Sequence, residues 1–203
     1  MTAGRHRLAG VATVEHLVRK SRFIGVCGPI DSVDDAERFI RTHGAEGCRH
    51  VAFAWTLGEQ VRFDDAGEPG GTAGRPILAA LEHFDLDRSI AVVSRFFGGV
   101  KLGTGGLARA YGGTAMAALQ DAPIQAIVAM TERIVEGGFE AADALHRQVE
   151  ELGAEKLDER WTPDGLHLHV RLPADQAAAL ARAVREITRG QGRCVDEGLR
   201  ERD

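Results

Sequence analysis

Five glycines fall within the eleven residues 97–107 (FGGVKLGTGGL), and their flanks leave few ways to fold the stretch. Upstream, residues 89–96 (SIAVVSRF) form a nearly continuous apolar run, the pattern of a central strand covered on both faces. Downstream, Leu107, Ala110, Tyr111, Thr114, Ala118 and Leu119 recur at helical spacing, which predicts a helix over about 105–120. Strand, glycine-rich turn and helix in succession bring free backbone N–H groups and the positive end of a helix dipole to one point, where an anion is stabilised. Gly103, Thr104, Gly105 and Gly106 supply the amides of that point, and Arg95, Lys101 and Arg109 add three positive side chains. The stretch contains neither G-x-x-x-x-G-K-[ST] nor a complete G-x-G-x-x-G, so it is not a known nucleotide loop. Three readings stay open: a tight turn only, a backbone-mediated anion or RNA-phosphate site, or a catalytic site.

A second loop, residues 64–76 (DDAGEPGGTAGRP), is dense in turn-forming residues. Asp64, Asp65 and Glu68 place three carboxylates in five residues. Such a group holds a hard cation, acts as acid and base, or simply accepts hydrogen bonds from loop N–H groups. The last is the commonest use, and the spacing is not that of a calcium loop. Thr72 has no evident base beside it. In the catalytic reading, Asp65 or Glu68 is the acid or base and His50 its partner, acting on a small phosphorylated or peptide-like substrate between the 64–72 and 95–106 loops. His50 falls on the less apolar face of a strand expected over 49–57, where a packed, hydrogen-bonded histidine is the plainer expectation. His167 and His169 share a strand face without an obvious third ligand, so no metal site is expected. No cofactor is expected either.

The remaining pattern alternates strands and helices. Residues 8–14 and 22–28 read as strands joined by the basic turn Arg19-Lys20-Ser21-Arg22, in which Lys20 and Arg22 are positioned to clamp a phosphate. A helix is expected to follow Ser32 and stop at Gly44, and a shorter one runs over about 76–84. Ala122-Pro123 reads as a joint. Beyond it the expected elements are a strand over 126–135, helix 139–152, strand 154–161, the turn Thr162–Gly165, strand 166–172, helix 175–189 and strand 193–197. That βαββαβ order is ferredoxin-like. The chain therefore reads as α+β in two domains, 1–125 and 126–203.

Charge bears on the choice of partner. The formal net charge is −5, with 14 basic against 15 acidic residues over 1–132 and 11 against 15 over 133–203. Neither part is basic overall, so nucleic-acid binding needs a local patch. Cys27, Cys48 and Cys194 are odd in number and widely spaced, which predicts reduced thiols in a cytoplasmic protein rather than a disulfide or zinc framework. No signal peptide or membrane span is expected.

Several segments together resemble the YigZ/IMPACT family. They are Lys20-Ser21-Arg22-Phe23-Ile24, His50 in RHVAFA, Asp64-Asp65 with Gly67-Glu68-Pro69 and Gly71-Thr72-Ala73-Gly74, Arg95-Phe96-Phe97-Gly98-Gly99, and Leu102-Gly103-Thr104-Gly105-Gly106-Leu107 through Tyr111. Ala66 departs from the pattern by lengthening the acidic loop. The resemblance implies a first domain like domain 2 of a small-subunit ribosomal protein (S-five) and domain IV of elongation factor G. It implies a second domain like domain V of that factor. It also implies a role in regulating translation, since eukaryotic relatives act on a stress-responsive kinase of a translation initiation factor. The expectation is a non-catalytic protein contacting ribosomal RNA or a translation factor, with no membrane partner and an open oligomeric state.

Overall fold

The structure is a computed structural model and describes residues 6–196. It is mixed α and β, and the chain divides into two compact units, Met1–Ile127 and Val128–Asp203. The division falls just beyond the Ala122-Pro123 joint because a short strand β7 (Ile124–Ala126) turns back to pair with β1 (His6–Leu8).

In the first unit, β2 (Ala12–Val18), β3 (Ser21–Pro29), β4 (His50–Leu57), β5 (Gln60–Asp64) and β6 (Ser89–Phe96) form an antiparallel sheet of order β2-β3-β6-β4-β5. The expected first strand at 8–14 is instead split between β1 and β2. The basic turn closes in two residues, Arg19 and Lys20, both with positive φ, so Ser21 and Arg22 already belong to β3. β6 is central and buried from Ser89 to Arg95, as its apolar run requires.

Alternation along β6 assigns its two faces. Ile90 and Val92 meet α1 (Val33–His43) in a cluster with Phe39 and Trp55. Ala91 and Val93 meet α2 (Gly74–His83) and α3 (Thr104–Asp121) in the larger core around Tyr111, Phe23 and Leu81. Ser32 caps α1 by accepting from the Asp35 N–H at 3.1 Å. Cys27 is buried against α3, its thiol donating to the Ala118 carbonyl, and burial pushes that thiol up to about 11, so it is no nucleophile.

The second unit runs β8 (Met130–Gly137), α4 (Ala142–Glu151), β9 (Glu155–Thr162), β10 (Gly165–Pro173), α5 (Ala177–Ile187) and β11 (Arg193–Asp196), with one 3-10 turn before each helix. Its antiparallel sheet has the order β11-β8-β10-β9. Leu166, Leu168, Val170 and Leu172 are fully buried, while His167, His169 and Arg171 take the other face. The strand expected at 126–135 starts later, because 124–126 is used by β7. The last residue of the strand expected at 193–197 lies outside the described residues. No described helix is long and apolar enough to cross a membrane.

Candidate anion-binding site

The glycine-rich segment leaves β6 at Phe96 and enters α3 at Thr104. Gly98 is held against the β2–β3 turn: its N–H donates to Ser21 Oγ at 3.2 Å, and a Cβ there would collide with the Lys20 carbonyl. Gly103 precedes α3 with φ of 71°, a conformation that favours glycine. The first helical bond runs from Leu107 N–H to the Gly103 carbonyl at 2.9 Å. By position, the Thr104, Gly105 and Gly106 amides lie ahead of that bond. No side chain caps this end, and its first turn holds no acidic residue.

Arg95 projects from the face of β6 that carries Ala91 and Val93, and there the structure corrects the sequence reading. Its side chain is 7% exposed and does not stand free for a ligand's phosphate. Nη1 donates to Glu68 Oε1 at 2.8 Å, and the same oxygen accepts from the Tyr111 hydroxyl at 2.8 Å. The Glu68 side chain is equally buried, at 5%. The guanidinium carbon lies 5.7 Å from the Phe23 ring centre and 5.5 Å from that of Phe97. Burial first, then the bond to Glu68 and its charge, raises the Tyr111 hydroxyl above its ordinary value, so it remains a neutral donor. Arg95 Nε is buried without a partner.

The two other candidate acid–base residues are also committed. Asp65 accepts from the N–H groups of Gly71 at 2.7 Å and of Ala73 and Gly74 at 2.8 Å, and so caps the start of α2. That cap explains why α2 begins two residues ahead of Pro76. Burial would raise the Asp65 carboxyl, but the Gly71, Ala73, Gly74 and Thr72 amides outweigh it and hold it below its ordinary value. His50 Nδ1 lies 2.8 Å from the carbonyl oxygen of Ala66 and donates to it, so the residue that lengthens the loop anchors the histidine. Ala66 takes φ of 49° to do so. Thr72 donates its hydroxyl to the Pro69 carbonyl at 2.6 Å. Asp65, Glu68 and His50 are thus each engaged in hydrogen bonds within the fold.

Three cavities with shared walls surround this segment. The first, about 320 Å³, is bounded by Glu68, Arg95, Phe97, Lys101, Gly103 and Thr104 among others. The second, about 400 Å³, includes Arg19, Leu102, Gly106 and Arg109; Leu102 also lines the first. The third, about 230 Å³, includes Arg49 and His50 and shares Arg95 and Phe97 with the first. Five Arg or Lys residues line the three, against one carboxylate, Glu68, which is already paired with Arg95. Lys20 and Arg22 line none of them. Arg22 lies over the Phe96 ring at 4.5 Å, 4.0 Å from Glu15, and Lys20 is exposed in the turn.

Sequence reasoning missed Arg19 and Arg49 as cavity residues and missed the Glu68–Arg95–Tyr111 cluster. The signal for the cluster was present: an arginine ending an otherwise apolar, buried strand needs a buried counter-charge. In the second unit, His167 stands 3.3 Å from Glu136 and His169 2.9 Å from Glu132. Among the described residues no group of His, Cys, Asp and Glu is arranged to hold a metal ion.

An antiparallel sheet with this loop–helix junction, followed by a second βαββαβ unit, defines a two-unit α+β protein built around an Impact N-terminal domain, whose family model matches residues 19–119. The chain is 36% identical over 176 residues to the IMPACT family member in the pol 5' region of Thermus thermophilus, a match covering 86% of this chain and 97% of that protein. It is 33% identical over 189 residues to the IMPACT family member YigZ of Escherichia coli, covering 90% and 92%. A crystal structure of a hypothetical protein, 30% identical, superposes over the full length of both chains with a TM-score of 0.69. The chain belongs to the IMPACT family.

Proposed function

We propose that this protein is a non-catalytic binding protein that regulates translation by gripping RNA phosphates at the β6–α3 junction. One observation carries the reading. Four basic residues outside the neutral Arg95–Glu68 pair, together with the open start of an 18-residue helix, border three adjoining cavities that hold no other carboxylate. Arg95, paired with Glu68, forms the neutral floor of the site, and Lys101, Arg109, Arg19 and Arg49 meet the ligand. The family resemblance implies units like translation modules, the first like domain 2 of the S-five ribosomal protein and the second like domain V of elongation factor G, and that expectation fits the same partner. The order β11-β8-β10-β9 supports the ferredoxin-like reading of the second unit. The enzyme reading is weaker because Asp65, Glu68 and His50 are each held by a structural bond.

The test is cosedimentation with ribosomes at low and moderate salt, using the parent and a Lys101→Ala/Arg109→Ala variant that leaves Arg95 in place. The parent should travel with ribosomal particles at low salt and leave them as salt rises, and the variant should stay at the top. Binding that ignores salt, or that the variant retains in full, overturns the phosphate reading and turns attention to a translation factor as partner.

A further inference from the structure

Phe97 lies outside the hydrophobic core clusters. It is 60% exposed, yet it sits at the centre of the candidate site, lining both the Lys101 cavity and the Arg49 cavity. The buried Arg95 guanidinium lies 5.5 Å from its ring centre and helps fix the ring in place. A large apolar ring kept in water and flanked by cations is poorly explained by phosphate binding alone, because phosphate does not contact an aromatic face. Both features fit a strand of unpaired nucleotides, whose bases stack on aromatic rings while its phosphates follow the positive charges.

We infer that Phe97 is a stacking platform for a single-stranded segment of nucleic acid, with Lys101 on one side and Arg49 on the other holding the adjacent phosphates. The inference rests on the phosphate-binding reading above and names the form of its ligand. A duplex offers the same phosphates but hides its bases in its own stack, so Phe97 gives it nothing. An exposed aromatic pair in the second unit, Phe139 and Trp161, is stacked with centres 5.7 Å apart, but Trp161 donates to Glu159 and that unit carries the whole net negative charge of the chain, which disfavours a phosphate strand there.

The experiment measures fluorescence anisotropy with the full chain. The probes are a single-stranded RNA of about ten nucleotides, within the range one such surface covers, and an RNA duplex of the same length. Parent, Phe97→Leu and Lys101→Ala are compared. The inference predicts that the parent prefers the single strand. Phe97→Leu should weaken that binding about five- to a hundredfold while changing duplex binding less than about twofold, and Lys101→Ala should weaken both. If the parent binds both probes equally, or Phe97→Leu changes neither or lowers both alike, the stacking platform is overturned and the phosphate reading survives. If the parent binds neither probe at any salt, both readings fall.

Discussion

Arg95 shows how one residue can hold a site without being its contact. A guanidinium at the end of a buried strand is tolerated because Glu68 neutralises it and Tyr111 fills the same carboxylate oxygen. Removing either partner leaves an uncompensated buried charge, so Arg95→Ala or Glu68→Ala should cost about 3–5 kcal/mol, read as a lower urea midpoint. Arg95 is for that reason the wrong residue with which to test ligand binding. Asp65 gives the second residue-scale prediction. Its carboxyl is held below the ordinary value of about 3.9, so its contribution is complete above that value and is lost as pH falls through the lowered one. Asp65→Ala should cost about 0.5–2 kcal/mol near neutral pH, as loss of a helix cap does. By urea unfolding, that cost should shrink as pH falls through the lowered value, where the parent carboxyl is itself protonated. A cost independent of pH would mean that the carboxylate is not the cap.

The β6–α3 junction depends on glycines of two kinds. A methyl group on Gly98 meets the backbone of the β2–β3 turn, whereas on Gly105 its nearest neighbour is the mobile end of Arg109 at 3.6 Å. Gly98→Ala should therefore destabilise by about 1–3 kcal/mol or more through overpacking, and Gly105→Ala should leave the thermal midpoint within a few degrees. Equal effects would show that the loop is not pinned at Gly98. Most elements were legible because their patterns are local: Leu166, Leu168, Val170 and Leu172 alternate, Ser32 caps, and the 89–96 run is nearly continuously apolar. The β1–β7 pairing was not legible, because three-residue strands at opposite ends of a unit carry no periodicity. Nor was the start of α2, since its cap comes from Asp65, several residues upstream across a loop. Of the site, the turn and its cations could be read from the sequence. The need of Arg95 for a buried counter-charge could be read too, but not that Glu68, 27 positions away, supplies it.

At the scale of the whole chain, charge is divided unequally. Residues 1–127 carry 14 basic and 14 acidic side chains, and residues 128–203 carry 11 and 16, so the entire net charge of −5 belongs to the second unit. An overall acidic protein can still hold phosphate when its cations gather at one end of one unit and its carboxylates there are neutralised in pairs. The membership of the IMPACT family fits this arrangement, since the matched domain, 19–119, contains every basic residue that lines the three cavities at the β6–α3 junction. The most direct test of the account is the salt dependence of RNA binding, measured as log K against log salt for the parent and for Lys101→Ala/Arg109→Ala. Each lost phosphate contact should flatten the slope by about 0.7–0.9, so the double variant should be shallower by roughly 1.4–1.8. Parallel lines for the two proteins would contradict it, placing the bound phosphates somewhere other than the β6–α3 junction.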